Sequence, residues 1–165
     1  MVAKNIFRRD DHLESYACLV RCCGNAKYLS DARKIHALIE GTHYKNNIYI
    51  VQMYGKCGSS GDARSVFDSL RTPNSFSWTI LLQAHIHNQQ LHEAKRVLDS
   101  MPGKNVVTWN ALLSANANSG QVHKARLVFD RIPEWDVFCM NAIVTGFAKA
   151  GMISQARNQF ENMPA

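Results

Sequence analysis

The sequence contains no apolar run near the roughly 18–20 residues that a membrane-spanning helix needs. Even its richest windows are broken by Asn, Lys or Arg. Proline and glycine are scarce, 4 and 9 in 165 residues, and 46% of the chain is apolar, which excludes collagen-like and disordered compositions. The five cysteines, Cys18, Cys22, Cys23, Cys57 and Cys139, are odd in number and form no Cys-x-x-Cys pair. They argue against both a disulfide framework and a zinc knuckle, and for a reducing interior. The N-terminal residues 1–14 form a short leader in which Lys4, Arg8 and Arg9 precede Asp10 and Asp11 without a signal-peptide apolar run, and no transit peptide is evident. Positive charge is in modest excess, 19 Lys+Arg against 13 Asp+Glu for a formal +6. That is compatible with a nucleic acid or another acidic partner but does not single one out.

Catalytic signatures are also missing. His12-Leu-Glu14 has the His-x-Glu spacing of a zinc deaminase, but the Pro-Cys-x-x-Cys that would complete the metal site does not follow. His85 and His87 are two residues apart, which on a helix points them to different faces. No Ser/His/Asp grouping, phosphate-cradling glycine loop or paired-carboxylate signature occurs. The expectation is a protein that is not an enzyme, with no metal and no cofactor.

What is present is a repeat. Ala32, Ala63, Ala94, Ala125 and Ala156 recur with a constant period of 31, and each is followed by a basic residue: Arg33, Arg64, Lys95, Arg126 and Arg157. Four residues after each alanine stands His36, Phe67, Leu98, Phe129 or Phe160; Ile39, Leu70, Met101, Ile132 and Met163 follow in phase. Pro102, Pro133 and Pro164 close the last three units, where proline would stop a helix. Within a unit Val106, Trp109, Leu112 and Leu113 recur at helical spacing, Gly120 interrupts, and Val122, Ala125, Val128, Phe129 and Ile132 resume. Gly58, Gly120 and Gly151 occupy equivalent turns, with Gln89 in the third unit. Each unit therefore reads as two helices that cannot bury their apolar faces alone. The fold class expected is all-α, a right-handed α-solenoid of about five helix-turn-helix repeats over residues 15–165. Their approximate bounds are 15–46, 47–74, 75–105, 106–136 and 137–165.

The segments Asn105-Val-Val-Thr-Trp-Asn-Ala-Leu-Leu-Ser114 and Gly120-Gln-Val-His-Lys-Ala-Arg-Leu-Val-Phe-Asp-Arg-Ile-Pro133 resemble a pentatricopeptide repeat of the short plant type. So do Met53-Tyr-Gly-Lys-Cys-Gly58 with Asp62-Ala-Arg-Ser-Val-Phe-Asp68, and Phe76-Ser-Trp-Thr79 with Glu93-Ala-Lys-Arg-Val-Leu98. Tyr16-Ala-Cys-Leu-Val-Arg-Cys-Cys23 with Ala32-Arg-Lys-Ile-His36 resembles the longer repeat that alternates with short ones in the land-plant subfamily active in organelle RNA editing.

That resemblance implies one-base-per-repeat recognition of single-stranded organellar RNA. Its base readers are a polar residue early in the first helix and the residue closing the repeat. On this chain they fall at Thr79 with Asn105, which resembles an adenine reader, and at Asn110 with Asp136, which resembles a uracil reader. Asn141 is a third, without its closing partner. Phe76, Val107 and Phe138 match the positions whose side chains sandwich bases, and Lys56 and Lys149 the places of phosphate-facing cations. In the second unit, Asn47-Ile-Tyr-Ile-Val-Gln-Met-Tyr54 reads as about four residues short of a full first helix, so only the closing Asn74 is assigned there. Such a shortening would leave a packing gap.

Competing structural readings stand beside these. Asn110 and Asn141 also fit surface polar positions, and Phe76 and Phe138 fit an inter-repeat core equally well. Trp78 and Trp109 lie on the apolar phase and read as packing residues. The cations after each alanine read as a solvated outer face. At the level of the whole chain the first hypothesis is an RNA-binding specificity factor for C-to-U editing or RNA processing in mitochondrion or chloroplast. It would be a monomer, away from membranes, with other editing or processing factors as partners. The alternatives are a tetratricopeptide-like scaffold whose concave face binds a peptide, and a degenerate array that binds little. The last residues, Pro164-Ala165, fall where another repeat or extension would begin and read as a truncated chain, a fragment or a short paralogue.

Overall fold

The computed structural model describes residues 28–39 and 48–162. Among the described residues there are nine helices and no strand: α1 (Leu29–Ile39), α2 (Ile48–Lys56), α3 (Ser60–Asp68), α4 (Ser75–His87), α5 (Leu91–Ser100), α6 (Val106–Asn118), α7 (Val122–Phe129), α8 (Val137–Lys149) and α9 (Ile153–Glu161). The fold is an all-α array of helix-turn-helix repeats, as the 31-residue period predicts. His12 and Glu14, the first repeat's 16–23 segment and residues 40–47 lie outside the described residues, and with them the expected shortening of the second repeat. Counting 31 back from Thr79 reaches Ile48, so an apolar residue stands where a polar reader would be.

Two capping devices repeat with the period. The residue closing a repeat is also the N-cap of the next first helix. Asn74, Asn105 and Asp136 sit in extended backbone, and their side-chain oxygens accept from the N–H three residues on, at Ser77 (2.9 Å), Thr108 (2.9 Å) and Cys139 (2.8 Å). Thr108 and Cys139 answer with their own side chains, closing reciprocal boxes. At the other end, Gly58, Gly120 and Gly151 take φ values of 86°, 75° and 73°. The amide after each glycine donates to the carbonyl five residues back, as Ser59 does to Tyr54, Gln121 to Asn116 and Met152 to Phe147, all at 2.9 Å. Gln89 adopts the same left-handed conformation, φ 59°, with a side chain that disfavours it.

The chain divides into two compact units, residues 1–88 and 89–165, and the division falls in the turn of the third repeat. In the first unit α2 packs against α1, α3 and α4, and α3 also meets α4. Ala63, Phe67, Met53, Leu81 and Leu82 are buried there, and Trp78 sets its ring edge-on to Phe67 at 4.8 Å. Asn88 ties the end of α4 to this unit by donating to the carbonyls of Gly55 (2.9 Å) and Ala84 (2.7 Å). In the second unit α6 packs against α5, α7 and α8, and α8 also meets α7 and α9. Its core holds Leu98, Met101, Leu112, Leu113, Phe129, Met140 and Ile143. All five register alanines are buried, so a larger side chain there would have to displace its neighbours.

Successive first helices approach through small residues. A Cβ on Gly55 would stand 2.6 Å from Ala84 Cβ, and one on Gly146 would stand 2.9 Å from Ala117 Cβ. The same contact is made in each unit with the glycine on opposite sides. In the second unit it joins α6 and α8 near their C-terminal ends, and a groove lies between the same two helices nearer their starts.

Candidate nucleic-acid interface

Within the second unit that groove is about 440 Å³ and is lined by Val107, Asn110, Ser114, Asp136 and Phe138. With Val106 and Ala111 the lining comes to seven residues, of which Val107, Asn110, Asp136 and Phe138 are ones the sequence nominated. Val107 is 60% and Phe138 76% exposed, so neither belongs to the inter-repeat core. Phe76, at the same register on α4 in the first unit, is likewise 59% exposed. Trp109, by contrast, is buried with Arg131 over its ring at 5.5 Å, a packing residue as its phase predicts.

Asn110 and Asp136 meet directly. The Asn110 amide nitrogen donates to both carboxylate oxygens of Asp136, at 3.2 and 3.0 Å, although 26 residues separate them. Only the NH₂ end can donate to a carboxylate, so the amide orientation is fixed and Asn110 Oδ1 points away from Asp136. That oxygen is buried and has no hydrogen-bond partner. Burial pushes the Asp136 carboxyl up, but the hydrogen bonds from the Cys139 N–H and the Asn110 amide together hold it below the usual carboxylate range. Burial pushes the Cys139 thiol up, so it stays protonated and donates to the Asp136 carbonyl at 3.0 Å. The site thus presents an ionised carboxylate, while the orphaned Asn110 carbonyl oxygen is buried beside it.

A second groove of about 240 Å³ adjoins it, lined by Ser114, Asn118, Phe138, Asn141 and Thr145. Asn141 is exposed on α8. Lys149, at the end of α8, donates to Asn118 Oδ1 at 2.6 Å beside this groove. Lys56 ends α2 in the first unit and is half-buried. Thr79 and Asn105 belong to different compact units. Thr79 bonds back to the Ser75 carbonyl at 2.8 Å, and Asn105 caps α6.

The cations that follow the register alanines are exposed and paired. Arg33 reaches Asp62 at 2.9 Å, and Arg64–Asp68 (2.9 Å), Lys95–Asp99 (2.6 Å), Arg126–Asp130 (2.9 Å) and Arg157–Glu161 (3.3 Å) are successive turns of one helix each. The second helices therefore carry a self-neutralised outer face. His85 is buried and His87 exposed, in line with their expected divergence. Among the described residues, no three His, Cys, Asp or Glu side chains cluster as a metal site, and no helix is long and apolar enough to cross a membrane.

The sequence reading missed the caps and the orphaned oxygen. The caps were signalled by Asn74-x-x-Ser77, Asn105-x-x-Thr108 and Asp136-x-x-Cys139, each three residues apart at the helix start. No sequence signal marks an atom left without a partner.

Paired helices recurring at a fixed period, with polar groups and exposed apolar side chains on the first helices, define a helical-repeat protein. The pentatricopeptide repeat (PPR) model matches residues 76–106, 107–137 and 138–165, more than half of the chain, and the chain belongs to that family. It is similar to three pentatricopeptide repeat-containing proteins of Arabidopsis thaliana. One is 36% identical over 81 residues, covering 46% of this chain and 8% of the relative. A second, named as mitochondrial, is 38% identical over 82 residues, covering 47% and 11%. A third, named as chloroplastic, is 29% identical over 89 residues, covering 51% and 9%. The chain spans about a tenth of the length of the curated relatives it matches.

Proposed function

We propose that this chain binds single-stranded RNA, one base per repeat, and contributes no catalysis of its own. The observation that carries the reading is the Asn110–Asp136 pair, bonded across 26 residues in one groove with Val107 and Phe138. A base has two apolar faces and one polar edge; exposed Val107 and Phe138 suit the faces, and the pair suits the edge. The edge preferred is that of uracil. The half-buried, ionised Asp136 carboxylate is an acceptor, and uracil presents a ring N–H where cytosine presents a ring-nitrogen acceptor, which would be repelled. By register, Thr79 with Asn105 is the adenine reader and Asn141 the next reader, with Phe76 and Phe138 as sandwiching residues and Lys56 and Lys149 as phosphate contacts. Lys149, already held by Asn118, is preoriented for that task.

In a longer protein such an array serves as the specificity element for C-to-U editing or processing, acting with other factors that supply catalysis. The relatives named as mitochondrial and chloroplastic support an organelle as its place of action. Fluorescence anisotropy with single-stranded RNAs that vary only at an A-U core, at fixed salt, tests the reading. The wild type should prefer A-U, and Asn110→Thr should shift preference at the second base toward a purine. Each good base contact is worth about 1–3 kcal/mol, so the shift should exceed fivefold. Binding that is absent or indifferent to sequence overturns it in favour of a peptide-binding scaffold or a degenerate array.

A further inference from the structure

Ser114 forms a wall of both grooves, and base reading makes no use of it. It lies four residues after Asn110 and so on the same face of α6. It is half-buried, and its hydroxyl makes no hydrogen bond with any described residue. That is unusual for a hydroxyl inside a helix, which commonly bonds back to the carbonyl four residues earlier. Ser65 does so to Gly61 at 3.1 Å and Thr79 to Ser75 at 2.8 Å. Thr145 repeats the arrangement, four residues after Asn141, lining the second groove with its hydroxyl also unbonded.

We propose that Ser114 contacts the ribose 2′-hydroxyl between the nucleotide read by Asn110 and Asp136 and the next one, and so distinguishes RNA from DNA. This rests on the RNA-binding reading above. If successive bases occupy the two grooves, the backbone joining them passes the elements common to both, which are Ser114 and Phe138. Phe138 has no polar atom to offer. A 2′-hydroxyl both donates and accepts, and the serine hydroxyl does the same. A bridging phosphate has a better partner in the Lys149 ammonium beside the second groove.

The test uses anisotropy on the full chain with the A-U-core RNA and with the same strand carrying a single 2′-deoxy substitution at the uridine or at the following nucleotide. A neutral hydrogen bond corresponds to roughly three- to tenfold in affinity. Ser114→Ala should weaken RNA binding by that factor, one deoxy substitution should weaken the wild type equally, and Ser114→Ala should no longer sense it. Ser114→Thr keeps the hydroxyl and should retain discrimination, which separates the contact from a packing effect. Equal losses on both strands for Ser114→Ala indicate a phosphate or packing role and overturn the proposal, as does an unchanged affinity. Base-selective binding that depends on Asn110 but not on Ser114 overturns this inference alone. A wild type that binds neither strand overturns it together with the RNA-binding reading.

Discussion

On the second helices of the repeats the exposed cations meet carboxylates one turn away, at Arg64–Asp68, Lys95–Asp99, Arg126–Asp130 and Arg157–Glu161. On the first helices of the second unit the exposed residues include Val107, Phe138 and Asn141, a buried Asn110 oxygen lacks a partner, and Ser114 and Thr145 leave their hydroxyls unbonded. The same period builds both faces. One satisfies its own polar groups; the other leaves apolar surface and polar atoms open, at a cost to stability that a ligand would offset. The contrast teaches that basic residues are a poor guide to the proposed binding face, because the periodic ones are already paired with carboxylates.

The sharpest break of this comparison lies in one register position that is structural in one repeat and open in the next. Phe129 is 1% exposed and stacks on Trp135 at 4.9 Å, while Phe160, its counterpart one period later, is 65% exposed. Phe129→Ala should cost about 3–5 kcal/mol in urea unfolding, and Phe160→Ala under about 1 kcal/mol. Similar losses at both would mean that Phe160 is covered in solution. Next in size is the close approach of the two helices that flank the groove. Gly146→Val places a side chain against Ala117 and should cost about 1–3 kcal/mol while erasing base selectivity, because α6 and α8 must part. Selectivity that survives the substitution would detach the groove from the reading pair.

The turns carry a smaller effect of opposite sign. Gln89 stands in the left-handed conformation that three glycines occupy elsewhere. An L-residue there is disfavoured by about 1–2 kcal/mol, against about 0.5–1 kcal/mol of extra chain entropy for glycine. Gln89→Gly should therefore stabilise the chain by about 0.5–1 kcal/mol, seen as a higher urea midpoint at unchanged slope. A lower midpoint would show that the glutamine side chain contributes more than its strain removes. Smaller again is the outer face: Arg126→Ala should cost about 0.3–0.5 kcal/mol and leave RNA affinity unchanged. A drop in affinity would return that stripe to the phosphate-binding role.

Much of the helical pairing was readable, since Ala32, Ala63, Ala94, Ala125 and Ala156 mark one buried register and the glycine turns mark where each hairpin reverses. The grouping of Val107, Asn110, Asp136 and Phe138 in one groove follows from that register once first helices are laid side by side. The small-residue contacts were hidden because Gly55 meets Ala84 and Ala117 meets Gly146 at a separation slightly shorter than the period, with glycine on alternate sides. The division between Asn88 and Gln89 was hidden as well, because a repeat pattern treats every turn alike while packing does not. Asn74, Asn105 and Asp136 carried a double meaning: as repeat-closing residues they are reader positions, and as helix starts they are caps.

That double meaning sets the smallest predicted effect. Asp136→Asn keeps a side chain that caps a helix about equally well, so stability near neutral pH should barely change. The wild-type carboxyl, however, is held below its ordinary value of 3.8 in the folded chain by hydrogen bonds that only the charged form accepts fully. A lowered folded value means that the contribution is present in full above the unfolded value and disappears as pH falls through the folded one. Acid titration of stability should therefore be steeper below about pH 4 for the wild type than for Asp136→Asn. At neutral pH the same substitution removes the charged acceptor proposed to select the uracil ring N–H, so discrimination against cytosine should fall while the cap holds. Loss of the cap without loss of discrimination would assign Asp136 to the helix start alone and leave Asn110 as the sole reader of that base.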